Sequence, residues 1–325
     1  MYRRHGDPAE VVELVDLEAG GPAGKGEAIV AVDAVPLHDT DLGYISGALT
    51  PLAPRPPAFV GQEGIGRVVE VGPQVGHLKP GQRVFLPRRS GAAREQMRVT
   101  AELLAPAPED GDPVQLSLAS INPPTAWLAL REAGLKAGDW LVQNAANSSC
   151  GRYLIALARR AGLRTVNVVR RTAVIQELKE LGADVVLVDG SDLAWRIKSV
   201  TDGAPLRFAL DAVGGRATQR LADSLADGAT VLVYAGLSGE PCHVPADTLY
   251  QRDIEVRGFL MTRQLSRLSL PEQSTMAREL AGLVADGTLK ARIAATYPLE
   301  QVRDALAHQA RTGVQRLGKV VLLMK

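Results

Sequence analysis

The sequence predicts an α/β chain in which a β-rich segment precedes a doubly wound parallel sheet. Three observations predict it: short β-branched runs parted by Gly and Pro from about residue 26 to 105, a change of hydrophobic period after residue 118, and a return to mixed helix and strand beyond residue 258. The expected domains are residues 1–117, 118–258 and 259–325, with the last folding back on the first. At 325 residues, 46% of them hydrophobic, the chain is long enough for two cores.

The N-terminal stretch "MYRRHGDPAEVVELVDL" passes into strand-like residues with no apolar signal core, and no run approaches the roughly 20 apolar residues of a membrane span. A cytoplasmic protein is expected. The runs "GEAIVAVDAV", "GIGRVVEVG", "GQRVFLP" and "EQMRVT" then read as an all-β segment. Within it "TPLAPRPPAFV" (50–60) is too rich in Pro for a central strand and reads as a loop over the surface or a cleft. After residue 118, "WLVQN", "TVNVV", "DVVLV", "FALDAV" and "ATVLVY" alternate with helical stretches such as "GRYLIALARRAG" and "SDLAWRIKSVT". Strand and helix in alternation imply parallel pairing with right-handed crossovers, the architecture of a nucleotide-binding domain. The tail adds helices through "PEQSTMARELAGLVADG" and "PLEQVRDALAHQA" and a closing strand, "GKVVLLM".

Charge and cysteine content narrow the partners. A net charge of +1 without a long basic run argues against nucleic acid and anionic membranes, leaving a small molecule. Cys150 and Cys242 are too few for a disulfide framework or a four-thiolate zinc site.

In a doubly wound sheet the first strand-helix turn offers backbone N–H groups and a positive helix end to a pyrophosphate. Here that turn is "NAANSSCG", where glycines are usual. Asn147 tolerates a left-handed backbone, Ser148 and Ser149 are small hydroxyl donors, and Gly151 keeps the helix near the sheet. A simple helix-capping turn has the same composition. About 20 residues on, where an acid would hold the adenosine ribose of NAD, the chain reads "TVNVVRR". Arg170 and Arg171 would hold a 2′-phosphate by charge-assisted hydrogen bonds, so the expected cofactor is NADPH. Two solvated arginines at a strand end are the plainer alternative.

The order of segments, with "GQEGIGRVVEVG" in the first of them, resembles the medium-chain dehydrogenase/reductase superfamily along nearly the whole chain. The resemblance implies a Rossmann domain and a GroES-like β-rich catalytic domain. Zinc-dependent members carry His in the Gly-His-Glu version of that motif. Gln62 stands there instead, and a carboxamide is a poor zinc ligand. His38, Asp39 and Asp41 read as a hydrogen-bonded loop histidine among surface acids, with Glu63 bracing the loop, so no metal is expected. The blocks "INPPTAW", "VQNAANSSCG", "LRTVNVVR", "ALDAVGG", "VYAGL", "RGFLM" and "GKVVLLM" are most similar to the mitochondrial-type 2-enoyl thioester reductases, the trans-2-enoyl-CoA or acyl-carrier-protein reductases.

That resemblance implies Asn122 and Thr125 beside the nicotinamide and its ribose, and Asn147, Ser148, Ser149 and Cys150 around the diphosphate. It also implies Arg170, Arg171 and Thr172 around the 2′-phosphate. Tyr234, Ala235, Gly236 and Leu237, with Phe259, Leu260 and Met261, would flank the nicotinamide and acyl cleft. Lys319 would reach the cofactor from the tail. Structural roles compete: Thr125 as a helix cap, Trp127 and Phe259 as core aromatics, Lys319 as a surface charge.

Three positions depart from the family pattern. Ser149 replaces a glycine, Leu260 a tryptophan, and Leu49 falls where the family carries its proton-donating tyrosine. Tyr44, on the same expected cleft loop, is the nearest substitute donor. The expected activity is a zinc-independent, NADPH-dependent reduction of a 2-enoyl thioester, with hydride going to the β-carbon. A quinone or alkenal reductase, which needs no dedicated acid, and a catalytically impaired NADPH-binding relative are the alternatives. A homodimer is implied as well, with "DIEVRGF" as the edge strand crossing a twofold.

Overall fold

The structure, a computed structural model, describes residues 1–18, 20–49 and 53–324. Its strands are β1 (Glu27–Pro36), β2 (Ile65–Val71), β3 (Arg83–Phe85), β4 (Gln96–Thr100), β5 (Ala105–Pro106), β6 (Trp140–Gln143), β7 (Arg164–Val169), β8 (Val185–Val188), β9 (Phe208–Asp211), β10 (Thr230–Val233), β11 (Glu255–Gly258), β12 (Ile293–Pro298) and β13 (Lys319–Leu323). The chain forms two compact units, Met1–Ile121 with Ala277–Lys325, and Asn122–Met276.

Among the described residues the first unit holds a seven-stranded sheet in the order β12-β13-β1-β2-β3-β5, with β4 also on β1. Along β1 the burial alternates, Ala28, Val30, Val32 and Ala34 facing inward, as a strand with one face on a core requires. β13 pairs antiparallel with β1 and parallel with β12, so Val320 and Leu322 share one core with Val30 and Val32. Each such side chain contributes about 1.5–3 kcal/mol by leaving water.

This unit is not all-β between residues 26 and 105. Asp39–Ser46 is a helix. Its first turn carries Asp39 and Asp41, which favour the positive helix end, and the Asp41 carboxylate accepts the His38 N–H at 2.8 Å. Tyr44 therefore lies on a helix rather than the expected loop. It is buried, with the Arg89 guanidinium 5.5 Å from its ring centroid. The N-terminal stretch differs too: Pro8–Val11 is a helical turn capped by Asp7, and Tyr2 and Val12 make only isolated bridges. Of the Pro-rich stretch, residues 53–60 follow an irregular path broken by one bridge at Ala58, and residues 50–52 lie outside the described residues.

The second unit holds a six-stranded sheet, β11-β10-β9-β6-β7-β8, parallel throughout. β6 and β9 are buried along their whole length, which explains apolar runs without alternation. Leu221 and Ala222 of the helix Arg216–Ser224 pack with Ala209 and Val231 of the sheet. Strand order reverses between β6 and β9, and there the carboxyl edge of such a sheet opens a crevice for a ligand. Trp127, expected in a core, is only half-buried, because Ala126, Leu128 and Ala129 take the inner face of its helix and leave it beside Arg131. Among the described residues no helix is long and apolar enough to cross a membrane.

Candidate active site

Because every strand of the second sheet runs the same way, the segments that follow β6, β7, β10 and β11 leave it at one edge. These are the segments 144–150, 170–172, 234–237 and 259–261, so the topology gathers most of the sequence-predicted cofactor residues. The edge is pinned at the strand-order reversal. Asn144 Nδ2 donates to Asp211 Oδ1 at 2.6 Å and its Oδ1 accepts the Ala212 N–H at 2.7 Å, tying the end of β6 to the end of β9. Asp211 also accepts from Val213 and Gly214 N–H and from Thr218 Oγ1, so its buried carboxylate is well satisfied. Neither Asn144 nor Asp211 was singled out by sequence. The signal was a polar residue ending each of two apolar runs, "WLVQN" and "FALD".

The turn itself differs from expectation at one residue. Ala145, with φ of 47°, takes the left-handed conformation, and Asn147 does not. The reason is local: the Ala145 carbonyl must accept the Ser148 N–H at 2.9 Å while Ala146 N–H reaches back to Val168. Asn147 is left exposed at the tip. Ser148 caps the helix Ser149–Arg160, its Oγ taking the Gly151 N–H at 3.1 Å. A Cβ at Gly151 would sit 2.7 Å from the Ala146 carbonyl oxygen and 2.8 Å from the Ala146 Cα. Only glycine lets the helix start this close to the turn. Gln143 Nε2 holds the same point from beneath, donating to the Gly151 carbonyl at 3.0 Å.

Around this cradle, Cys150 is buried and Ser149 half-buried. Tyr234 leans on the turn: burial pushes its phenol well above the ordinary range, with Cys150 and Ser148 beside its hydroxyl. Ala235 is half-buried, Gly236 and Leu237 are exposed, and the Leu237 N–H is held by the Ala212 carbonyl. Phe259 and Met261 are buried and Leu260 is exposed. Arg170, Arg171 and Thr172 are exposed directly after β7. Neither guanidinium has an ion-pair partner among the described residues. On the helix Asn122–Ala133, Thr125 is buried, and the Asn122 Nδ2 is buried without a hydrogen-bond partner among the described residues. An orphaned buried amide is costly unless something supplies an acceptor. A cradle closed by glycine, a free pair of cations and an orphan donor fit a dinucleotide carrying an extra phosphate.

Tyr44 and Lys319 belong to the first unit, where a second polar cluster forms. Gly61, with φ of 108°, turns the chain so that its N–H donates to Asp41 Oδ1 at 3.1 Å, and Gln62 Nε2 donates to the same oxygen at 3.2 Å. Asp41 is therefore no surface acid: it is 2% exposed, and burial raises its pKa against the pull of His38 and these donors. His38 is buried as well. Its Nε2 lies 2.9 Å from Glu63 Oε1 and its Nδ1 2.9 Å from Lys319 Nζ. With both ring nitrogens engaged and Gln62 turned to Asp41, these residues do not fit a zinc ion. Among the described residues no group of three or more His, Cys, Asp or Glu is placed to hold a metal. Leu49 bears no proton donor, and its side chain occupies the space above Gly43.

Known proteins resemble this chain along nearly its whole length. Residues 24–109 match the model of the alcohol dehydrogenase GroES-like domain, and residues 181–322 that of the zinc-binding dehydrogenases. The mitochondrial enoyl-[acyl-carrier-protein] reductase of Rattus norvegicus is 33% identical over 94% of this chain and 83% of its own length. A Bacillus thuringiensis protein assigned as an NADPH:quinone reductase is 28% identical and superposes with a TM-score of 0.90 over 100% of this chain and 98% of its own. The Etr1p complex with NADP and crotonyl-CoA shares the fold, with a TM-score of 0.85 at 23% identity over 99% and 98% of the two chains.

Proposed function

We propose that this chain, which belongs to the family of the mitochondrial enoyl-[acyl-carrier-protein] reductases within the medium-chain dehydrogenase/reductase superfamily, is a zinc-independent NADPH-dependent reductase of a 2-enoyl thioester. The observation that carries the cofactor assignment is the pair of exposed, unpaired guanidiniums of Arg170 and Arg171 after β7. Two charge-assisted hydrogen-bond donors at that edge suit a 2′-phosphate, and the residues that directly follow β7 are Arg170 and Arg171 rather than an acid. Ser148 and the start of the helix Ser149–Arg160 would face the diphosphate, and Asn122 Nδ2 would find its acceptor on the nicotinamide side. Tyr234 to Leu237 and Phe259 to Met261 would line the reacting end. The bound cofactor supplies a hydride to the β-carbon. The protein's task is then to stabilise negative charge on the thioester oxygen and to provide a proton at the α-carbon.

A quinone or enal reductase is the second reading, and Leu49 favours it. An apolar residue at the family's tyrosine position removes the dedicated acid that an enolate needs and a quinone does not. The B. thuringiensis likeness is in keeping with it. Steady-state NADPH oxidation with crotonyl-CoA, a benzoquinone and 2-hexenal separates the two. The thioester is expected to give the highest kcat/KM; turnover of the quinone alone would shift the assignment.

The reading extends to a cytoplasmic homodimer. Balanced charge and a sequence with two cysteines suit a reducing compartment. Among the described residues β11 pairs with β10 alone and leaves an open edge that a second copy could continue.

A further inference from the structure

At the end of β8 the second unit carries an acid where the cofactor reading needs positive charge. β7 and β8 run parallel with Val169 opposite Val188, so Arg170 and Asp189 are the next positions on neighbouring strands, which in a sheet lie about 4.8 Å apart. The Asp189 N–H donates to the Val169 carbonyl at 2.8 Å and fixes the two strand ends side by side. Arg170 and Arg171 follow that carbonyl directly. A free acid beside them would repel a 2′-phosphate and favour an unphosphorylated ribose.

Asp189 is not free. Arg220, on the helix Arg216–Ser224 and 31 residues further along the chain, takes both of its oxygens: Nε donates to Oδ1 at 2.6 Å and Nη2 to Oδ2 at 2.5 Å. Such a fork matches guanidinium to carboxylate in charge and in shape. The hydrogen bonds to Asp189 raise the already high Arg220 pKa against partial burial, and the charge of Asp211 adds to the rise, so the cation persists at neutral pH. Asp192, three residues on, is paired too, accepting from Arg196 Nη2 at 2.8 Å, but its side chain is 62% exposed and water screens it. The Asp189 side chain is 23% exposed, so Arg220 rather than solvent cancels its charge.

We propose that Arg220 determines the preference for NADPH: by neutralising Asp189 it keeps the strand edge beside Arg170 and Arg171 open to a 2′-phosphate. This rests on the reading that Arg170 and Arg171 hold that phosphate. Arg220 is a positioning residue, since it acts through Asp189. Without its charge the Asp189 carboxylate opposes the phosphate and competes for the two guanidiniums, whereas NADH, with a hydroxyl at that place, loses nothing. A mere brace between helix and strand end would act on both nucleotides alike.

The test is titration calorimetry of the whole chain with NADPH and NADH, and with adenosine 2′,5′-bisphosphate and 5′-AMP, which carry the ribose end alone. In Arg220→Gln, which keeps a hydrogen-bond donor but no charge, Kd for NADPH and for the bisphosphate should rise about tenfold, with NADH and 5′-AMP within about twofold. The tenfold gap to the wild type should narrow at about 1 M salt, where the Debye length is about 3 Å. Arg220→Gln combined with Asp189→Asn removes both charges and should return NADPH affinity to within about twofold of the wild type. Should Arg220→Gln not fold, Asp189→Asn gives the complementary reading: Arg220 is released as a third cation, and NADPH should bind at least as tightly as to the wild type. Equal losses for NADPH and NADH in Arg220→Gln, no loss for either, a loss that persists in the double variant, or weaker NADPH binding in Asp189→Asn overturns the proposal and leaves the cofactor reading intact. A wild type that binds NADH as tightly as NADPH defeats the cofactor reading and this inference with it.

Discussion

Replacing both arginines, Arg170→Ala with Arg171→Ala, is expected to lower kcat/KM for NADPH about 100-fold and to leave NADH within about twofold. The magnitude follows from the chemistry. A hydrogen bond to a charged group contributes about 1.5–3 kcal/mol, and 1.4 kcal/mol is a factor of ten. Both side chains are exposed and unpaired among the described residues, so no internal ion pair is broken and the fold should not respond. Steady-state kinetics with each nucleotide at fixed crotonyl-CoA measures the ratio. Equal losses for NADPH and NADH would mean that the pair contacts something other than the 2′-phosphate.

The second large effect is expected at Gly151. In Gly151→Ala the new methyl carbon would lie 2.7 Å from the Ala146 oxygen and 2.9 Å from the Ala145 oxygen, both backbone. No side-chain rotation relieves that contact, so the helix Ser149–Arg160 must move off the turn. Overpacking of this kind costs about 1–3 kcal/mol. The same displacement disturbs the cap made by Ser148 Oγ, so NADPH affinity should drop at least about tenfold. Gly236→Ala is the control, because a Cβ there meets nothing within 4 Å. Urea denaturation followed by fluorescence should show a lower midpoint for Gly151→Ala and an unchanged one for Gly236→Ala.

Much of the second unit could be read from sequence because its parallel strands are buried on both faces and stand out as apolar runs between helical periods. The arginines after β7 were legible for a similar reason, since strand end and charge type are both local features. The helix Asp39–Ser46 was not. It is eight residues long, carries Gly43 in its middle, and is held by the Asp41 carboxylate, whose other partners lie about twenty residues away in Gly61 and Gln62. A helix this short has little intrinsic stability, so tertiary contacts decide it. The same distance hid the contacts of His38. Its contact with Lys319 spans 281 residues, and no periodicity or spacing encodes it. At the turn after β6, residue preference pointed to Asn147 for the left-handed position, but the bonds from Ser148 and to Val168 require that conformation two residues earlier, at Ala145.

The most direct measurement is the fate of the transferred hydrogen. NADPH carrying deuterium at its transferable position is incubated with crotonyl-CoA in ordinary water, and the acyl product is read by mass spectrometry and deuterium NMR. One deuterium at C3 of butyryl-CoA, none at C2, and one NADP+ formed per product is the expected result. Crotonyl-CoA recovered unchanged while the nucleotide is consumed by a quinone, or label appearing at C2, would contradict it.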